Sequence, residues 1–485
     1  LIHEPGRLFG DIDQTTIVDG FPHGTSMKSW WLAVAAASLI GLARTASAAT
    51  STPSDALRAA SDSVLDALKR DDLAAIEARF GKLMRSSMSH DKFAAAVATI
   101  KTQAGAFGDC HEPTSYPVGT MSVFSYQCDL SLAPVTINLS WDDQGGLLGL
   151  AVYGAQPLPA LLPQGVREEN LTTGATGWAL PGTLLMPSGV KLPPVVLLVP
   201  GSGPADRDGT FGPNTVFRDL AIGLAGDGIA SLRFDKRGRA FTKRFFEKRT
   251  SWTFDDEIVD DAVGALVMLS RRADVGPIFI VGHSEGALLA PRIAARAAKD
   301  DGVSVTGVVM LAAPSTPLAD LLTHQYEFLA VLPESDITPE LLASVRTIRD
   351  HVHRLLTNQV KRDEEQVFNP LLMSLDLLHM PDSAWLDIGR YDAAETLLEQ
   401  PQLPALLTFG GRDFNVPIKE KSLWEERVAR RPDTTLLGFP SLNHLLIEGQ
   451  GPMSPIEYNK RGHVSQALID AVAIWVNQHA AAHLR

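Results

Sequence analysis

Three rhythms of apolar positions divide the chain. From Ser54 to about Gly105 they recur every three or four residues. Ala56, Leu57, Ala60, Val64, Leu65 and Leu68 draw one stripe; Ile76, Phe80 and Leu83 follow from Asp71-Asp72; and Ser89 opens a third segment, Asp91 to Gln103. That spacing predicts three helices, the last closing at Gly105. From Met121 the period drops to two, over Met121–Leu130, Val135–Trp141 and Leu147–Tyr153, with Asp142-Asp143-Gln144-Gly145-Gly146 as a hairpin turn. Alternation of this kind predicts antiparallel strands. Residues 49–154 therefore read as a small α+β unit, and residues 155–165, rich in proline, as a semi-rigid linker.

Beyond the linker, short apolar runs alternate with amphipathic segments. Gly177–Met186, Pro194–Val199, Ile229–Phe234, Ile278–Val281, Val305–Ala312, Ala405–Phe409 and Thr434–Phe439 read as strands. Phe217–Asp227, Phe254–Arg271, Gly286–Ala298, Lys419–Arg430 and Ser465–Ala480 read as helices. This pattern predicts an α/β domain over residues 166–315 and 400–485, a mostly parallel sheet covered on both faces. Residues 316–399 break the alternation with helical patterns alone, at Leu318–Val331, Pro339–Val360 and Pro370–Leu378. They predict a helical cap over the C-terminal edge of the sheet, where such sheets bind ligands. Phe328, Leu332, Leu371, Leu372, Met373 and Trp385 are its candidate pocket-lining side chains.

Composition narrows the class. A chain of 485 residues, 45% hydrophobic and 20% charged, has room for two or three globular units with sizeable cores. The net charge of −13 argues against a nucleic-acid partner. No C-x-x-C or H-E-x-x-H spacing occurs, so no metal or other cofactor is expected. Met27-Lys28 precedes the apolar run Trp30–Ala43 and the small-residue site Ala46-Ser47-Ala48. Residues 27–48 thus read as a signal peptide cleaved after Ala48, and residues 1–26 as an upstream or appended segment. The run is shorter than the roughly 20 residues that span a bilayer, so no stable membrane anchor is expected. The expected product is exported, periplasmic or secreted. The two cysteines, Cys110 and Cys128, are then a candidate disulfide that contributes roughly 3 kcal/mol by loop entropy. The first unit shows no catalytic constellation and reads as an accessory module, with a homo-oligomer through it as the expected assembly.

Chemistry centres on Gly282-His283-Ser284-Glu285-Gly286, which follows a buried-strand run and opens a helix. That is the G-x-S-x-G nucleophile elbow, in which a tight strand–helix turn presents a serine hydroxyl. A serine needs a base, and the base an acid to orient it, in chain order Ser, Asp or Glu, His. Gly411-Arg412-Asp413 and Asn443-His444-Leu445 follow the next two strands and supply them at the same sheet edge. Asp433 and His463 are the rivals for acid and base. The oxyanion donors are assigned to the backbone N–H of Glu285 and of Ser202, with Gly203 as the alternative, in the glycine-rich loop after Pro194–Val199. Asp206-Arg207-Asp208 reads as a salt-bridged brace, Asp235-Lys236-Arg237-Gly238 as a structural turn, and His283 as a residue that orients the elbow.

The elbow, the Gly-Arg-Asp-x-x-Val-Pro segment at Gly411–Pro417 and Asn443-His444-Leu445 resemble the α/β-hydrolase superfamily over about Val166 to Arg485. The loop Pro200-Gly201-Ser202-Gly203-Pro204-Ala205-Asp206-Arg207-Asp208-Gly209 and the turn at Asp235–Gly238 look like the bacterial esterase branch labelled serine aminopeptidase S33-like. In that branch an N-terminal α+β domain of unknown function precedes the hydrolase, and the helical region here resembles it. The resemblance implies a serine carboxylesterase acting on short- to medium-chain esters, with Ser284, Asp413 and His444 at the catalytic positions. Arg239-Ala240-Phe241-Thr242 departs from relatives, which more often show a second glycine and a serine there. A serine aminopeptidase with the same triad is the alternative, with Glu334-Ser335-Asp336 or Asp363-Glu364-Glu365 to hold a substrate ammonium. A binding protein with a vestigial site is the reading from another class.

Overall fold

The computed structural model describes residues 55–118, 120–154, 162–246, 251–333, 335, 337–358 and 380–483. The expected leader, most of the linker, Leu371, Leu372, Met373 and the Pro370–Leu378 helix lie outside the described residues, as do Glu334, Asp336 and Asp363-Glu364-Glu365.

The first unit packs helices on one antiparallel sheet. Its strands are Thr114–Val118, Met121–Asp129, Pro134–Trp141 and Leu147–Gly154, paired in chain order. The helices number four among the described residues, not three: Asp55–Lys69, Leu73–Glu77, Lys82–Ser87 and His90–Ala104. The expected second helix breaks because Phe80 bridges to Leu147, and Gly81 N–H donates to the Leu147 carbonyl at 2.8 Å. Local apolar spacing does not register such a long-range bond. Val64, Leu68 and Phe93 fill the core against Phe124, Ile137 and Trp141, whose indole N–H donates to Ser61 Oγ at 2.8 Å. Cys110 and Cys128 face each other across an antiparallel bridge and are joined as a disulfide.

The second unit is built on eight strands: β1 (Val166–Thr173), β2 (Leu180–Pro187), β3 (Val195–Val199), β4 (Ala230–Phe234), β5 (Ile278–His283), β6 (Gly307–Leu311), β7 (Ala405–Gly410) and β8 (Thr434–Phe439). They lie in the order β1-β2-β4-β3-β5-β6-β7-β8. From β4 to β8 all neighbours are parallel, while β2 runs antiparallel to β4 and to β1. β1 was not expected. Its sequence, Val-Arg-Glu-Glu-Asn-Leu-Thr-Thr, is that of a charged edge strand, which resists further pairing and reads locally as a loop.

Period-two burial sorts the sheet's side chains. Val195, Leu197 and Val199 of β3, with Ile278 and Ile280 of β5, face one side, and Val196, Leu198, Phe279 and Val281 face the other. Helices α1 (Val216–Gly226) and α9 (Gln466–His483) cover the second side. Helices α2 (Asp260–Ser270), α3 (Glu285–Asp301) and α8 (Lys419–Arg427) cover the first. The expected helix from Phe254 opens instead with one π-helical turn, Asp255–Val259, before α2 begins.

Helices α4 (Leu318–Ala330), α5 (Pro339–Leu356), α6 (Asp382–Arg390) and α7 (Ala393–Leu398) form the described part of the cap. Thr338 Oγ1 caps α5 by accepting from Leu341 N–H at 3.2 Å. Val345 and Val352 of α5, with Trp385 and Ile388 of α6, are buried in the same core that lies against the sheet. Asp387 of α6 also accepts from Phe254 N–H and from Arg292 of α3, both at 2.9 Å. Strand order reverses around β3, with β4 on one side and β5 on the other. The loops after β3 and β5 therefore meet at the C-terminal edge.

Candidate active site

Ser284 stands at the tip of β5 with φ 55° and ψ −116°, a region that non-glycine residues occupy only where the surroundings enforce it. The enforcement is visible. Ser284 N–H donates to the Leu311 carbonyl on β6 at 2.8 Å, and Leu288 N–H returns to the Ser284 carbonyl at 2.9 Å. The flanking glycines are steric requirements. A Cβ on Gly282 would lie 2.2 Å from the Gly286 carbonyl oxygen, and one on Gly286 would lie 2.3 Å from that of Val199. Gly201 in the loop after β3 sits so close that its Cβ would be 3.2 Å from Ser284 Cβ.

The candidate acid and base, Asp413 and His444, lie in the loops after β7 and β8. Asp413 is buried; its Oδ2 lies 2.7 Å from His444 Nδ1, and its Oδ1 accepts from the N–H groups of Asn415 and Val416, each at 2.8 Å. One carboxylate oxygen thus anchors its own loop while the other faces the imidazole. Asn443 Oδ1 shapes the His444 loop by accepting from Leu445 N–H at 2.9 Å. The two loops cross so tightly that a Cβ on Gly410 would lie 2.4 Å from the Leu442 carbonyl oxygen.

His283 ties the base loop to the elbow. Its Nε2–H donates to the His444 carbonyl at 2.8 Å, and the two rings lie 4.7 Å apart. Burial, with the adjacent His444, pushes the His283 imidazole down to about 3, so it stays neutral. A histidine that titrates near 6.5 unfolded and about 3 folded contributes stability above pH 6.5 that is lost progressively as pH falls toward 3. His283→Gln keeps a donor and removes the titration. Between pH 7 and pH 5 the wild-type protein is expected to lose on the order of 1–2 kcal/mol more stability than H283Q in denaturant melts. Equal losses in the two proteins would contradict a buried neutral His283.

The loop after β3 is braced by charge. Arg207 clasps Asp235 through Nε at 2.9 Å and Nη2 at 3.0 Å; Asp208 meets Arg233 at 3.2 Å; and Asp206 Oδ1 accepts from Asp208 and Thr210 N–H. The Asp235–Gly238 turn does more than reverse the chain. Arg237 pairs with buried Asp261 at 2.7 and 2.8 Å, and Lys236 is fully buried with its Nζ 3.0 Å from the Gly201 carbonyl and 3.0 Å from Glu285 Oε1. Ser202 Oγ donates to Glu285 Oε2 at 2.9 Å. The departing Arg239-Ala240 pair lies in a short helical turn, Arg237–Ala240.

The rival residues sit elsewhere. Asp433 is exposed ahead of β8, and His463 is exposed and pairs with Asp219 at 3.1 Å. Of the six proposed lining residues, Phe328 borders an open crevice of about 320 Å³ together with Asp413, Phe414, Lys419 and Met453. Ser284 does not line this crevice, so it is not read as the acyl pocket. Trp385 is buried in the core, packed with the cap and the sheet, and does not border this crevice. Among the described residues no group of three or more His, Cys, Asp or Glu side chains is placed to hold a metal ion.

Strand order, a strained serine after β5, an acid after β7 and a histidine after β8 define the α/β-hydrolase class. Residues 213–450 match the family model described as serine aminopeptidase, S33. The chain is 32% identical over 361 residues to esterase EstD of Thermotoga maritima, an alignment covering 73% of this chain and 79% of that one. It belongs to the α/β-hydrolase superfamily, in the S33-like branch. Among solved structures it is distantly similar to Est1E from Butyrivibrio proteoclasticus, at 12% identity and a TM-score of 0.36, covering 64% of this chain and 99% of that one. A Mycobacterium tuberculosis puromycin-hydrolyzing peptidase gives 16% identity and a TM-score of 0.40, covering 76% and 48%.

Proposed function

We propose that the protein is an exported serine carboxylesterase that hydrolyses short- to medium-chain carboxylic esters through an acyl-enzyme. The observation that carries this reading is the Asp413–His444 contact at 2.7 Å, held by His283 beside the strained Ser284. Asp413 fixes the proton of His444 on Nδ1 and leaves Nε2 to act as base. His444 takes the Ser284 proton as Oγ attacks the ester carbonyl, and the backbone N–H groups of Glu285 and Ser202 receive the oxyanion. The proton then passes to the leaving alkoxide. His444 next activates a water that attacks the acyl carbonyl, releasing the acid and restoring Ser284. The named relative, an esterase, favours esters. The family description, a serine aminopeptidase, keeps amides as the second reading.

Initial rates on p-nitrophenyl butyrate and on aminoacyl p-nitroanilides, measured side by side, decide between them. Ester turnover is expected to exceed anilide turnover by orders of magnitude; faster anilide cleavage would overturn the esterase reading. The Cys110–Cys128 disulfide supports an oxidising compartment. Export predicts a mature product that begins at Ala49, which intact-mass measurement of the exported protein checks.

A further inference from the structure

The two N–H groups assigned to the oxyanion lie on separate loops, Glu285 at the head of α3 and Ser202 after β3. A backbone donor is worth only what its placement allows; a displacement of about 1 Å costs on the order of 100-fold in rate. Here the loops are tied by side chains. Ser202 Oγ donates to Glu285 Oε2 at 2.9 Å, while Lys236 Nζ, from the loop after β4, spans from the Gly201 carbonyl to Glu285 Oε1 at 3.0 Å each. The same ammonium meets Glu257 Oε1 at 2.5 Å. Glu257 sits on the π-helical turn Asp255–Val259, an irregularity often found at functional sites. Lys236, Glu257 and Glu285 are all buried. Taking two carboxylates and one ammonium out of water generally costs more than their attraction returns, and apolar residues of the same volume serve stability as well. Stability alone does not explain the cluster.

We infer that Lys236 and Glu257, with the side chains of Glu285 and Ser202, form a positioning clamp that fixes the separation of the two oxyanion donors and sets the charge beneath them. The inference rests on the oxyanion assignment above.

The charge balance gives the clamp a signature. With both carboxylates ionised the cluster holds one net negative charge beside the place where an oxyanion must form; with Glu257 protonated it is neutral. Burial, reinforced by the Glu285 charge, pushes Glu257 up to about 8. Burial alone would lower Lys236, but the two carboxylates reverse this and hold the ammonium above its ordinary range. Asp261 adds to the rise at Glu257, and its own carboxylate is taken up by Arg237; Asp255 and Asp256 share the π turn. Turnover is therefore expected to fall as pH rises through about 8.

Two variants test this. Ser202→Ala, a one-atom change at a half-buried site, cuts one tie and keeps the backbone N–H. Its kcat on p-nitrophenyl butyrate is expected to drop on the order of 10- to 100-fold with KM within about 2-fold, and fluorophosphonate labelling to slow in proportion. Glu257→Gln removes the titrating group, and the alkaline fall in kcat is expected to vanish. A purely structural role would shift the melting temperature and leave the pH profile unchanged. Unchanged kcat in S202A, or an alkaline limb retained in E257Q, overturns the clamp and leaves the Ser284 mechanism standing. Should E257Q fail to fold, S202A decides. A wild-type protein inert to both ester and fluorophosphonate overturns the mechanism, and the clamp with it.

Discussion

Ser284→Ala is expected to lower p-nitrophenyl butyrate turnover by on the order of a million-fold, because nucleophile and base act as a unit and neither retains its role without the other. The residual rate should be that of the donors and binding alone. Alanine keeps the Cβ and the backbone bonds to Leu311 and Leu288, and it suffers the same positive φ as serine, so the variant should melt within about 1 °C of wild type. Loss of activity with an intact melting transition, together with loss of fluorophosphonate labelling, would assign the nucleophile. Near-normal hydrolysis by S284A would remove Ser284 from the mechanism.

Asp413→Asn should cost on the order of 10,000-fold in kcat for a subtler reason. The asparagine carbonyl can still accept from Asn415 and Val416 N–H, as Asp413 Oδ1 does, so the loop has no cause to move. That orientation turns the amide NH₂ toward His444 Nδ1, where the carboxylate oxygen now lies at 2.7 Å. Nδ1 must then accept, Nε2 carries the proton, and the imidazole is in the wrong tautomer to act as base. Asp413→Ala should be equally inactive but also unstable, since each loop N–H left without an acceptor costs about 1–3 kcal/mol. Comparing kcat and melting temperature for the two variants separates orientation from scaffolding. A D413N enzyme within 10-fold of wild type would rule out Asp413 as the orienting acid.

The placement of the candidate site in the fold was legible because its parts are local. An apolar run that ends in Gly-His-Ser-Glu-Gly announces its own turn, and Asp413 and His444 each follow a strand directly, so topology brings them to one edge. Strand β1 escaped because its charged edge does not look like part of a buried sheet. The break at Phe80 escaped because it depends on a partner far along the chain, at Leu147. Trp385 looked like pocket lining because an aromatic in a cap has two uses, and sequence does not say which way the ring faces. Lys236 is the deepest omission. In isolation a lysine inside Asp-Lys-Arg-Gly belongs in solvent, and only Glu257 and Glu285, brought in from two other segments, make its burial tolerable.

The cap has a consequence for how its substitutions act. Its helices α5 and α6 share their apolar interior with the sheet, and Asp387 fastens α6 to α3, the helix that follows Ser284. Sheet and described cap therefore share one continuous buried core. A substitution that shrinks a buried apolar side chain of α5 or α6, such as Val352 or Trp385, also thins the packing behind α3 and the candidate serine at its head.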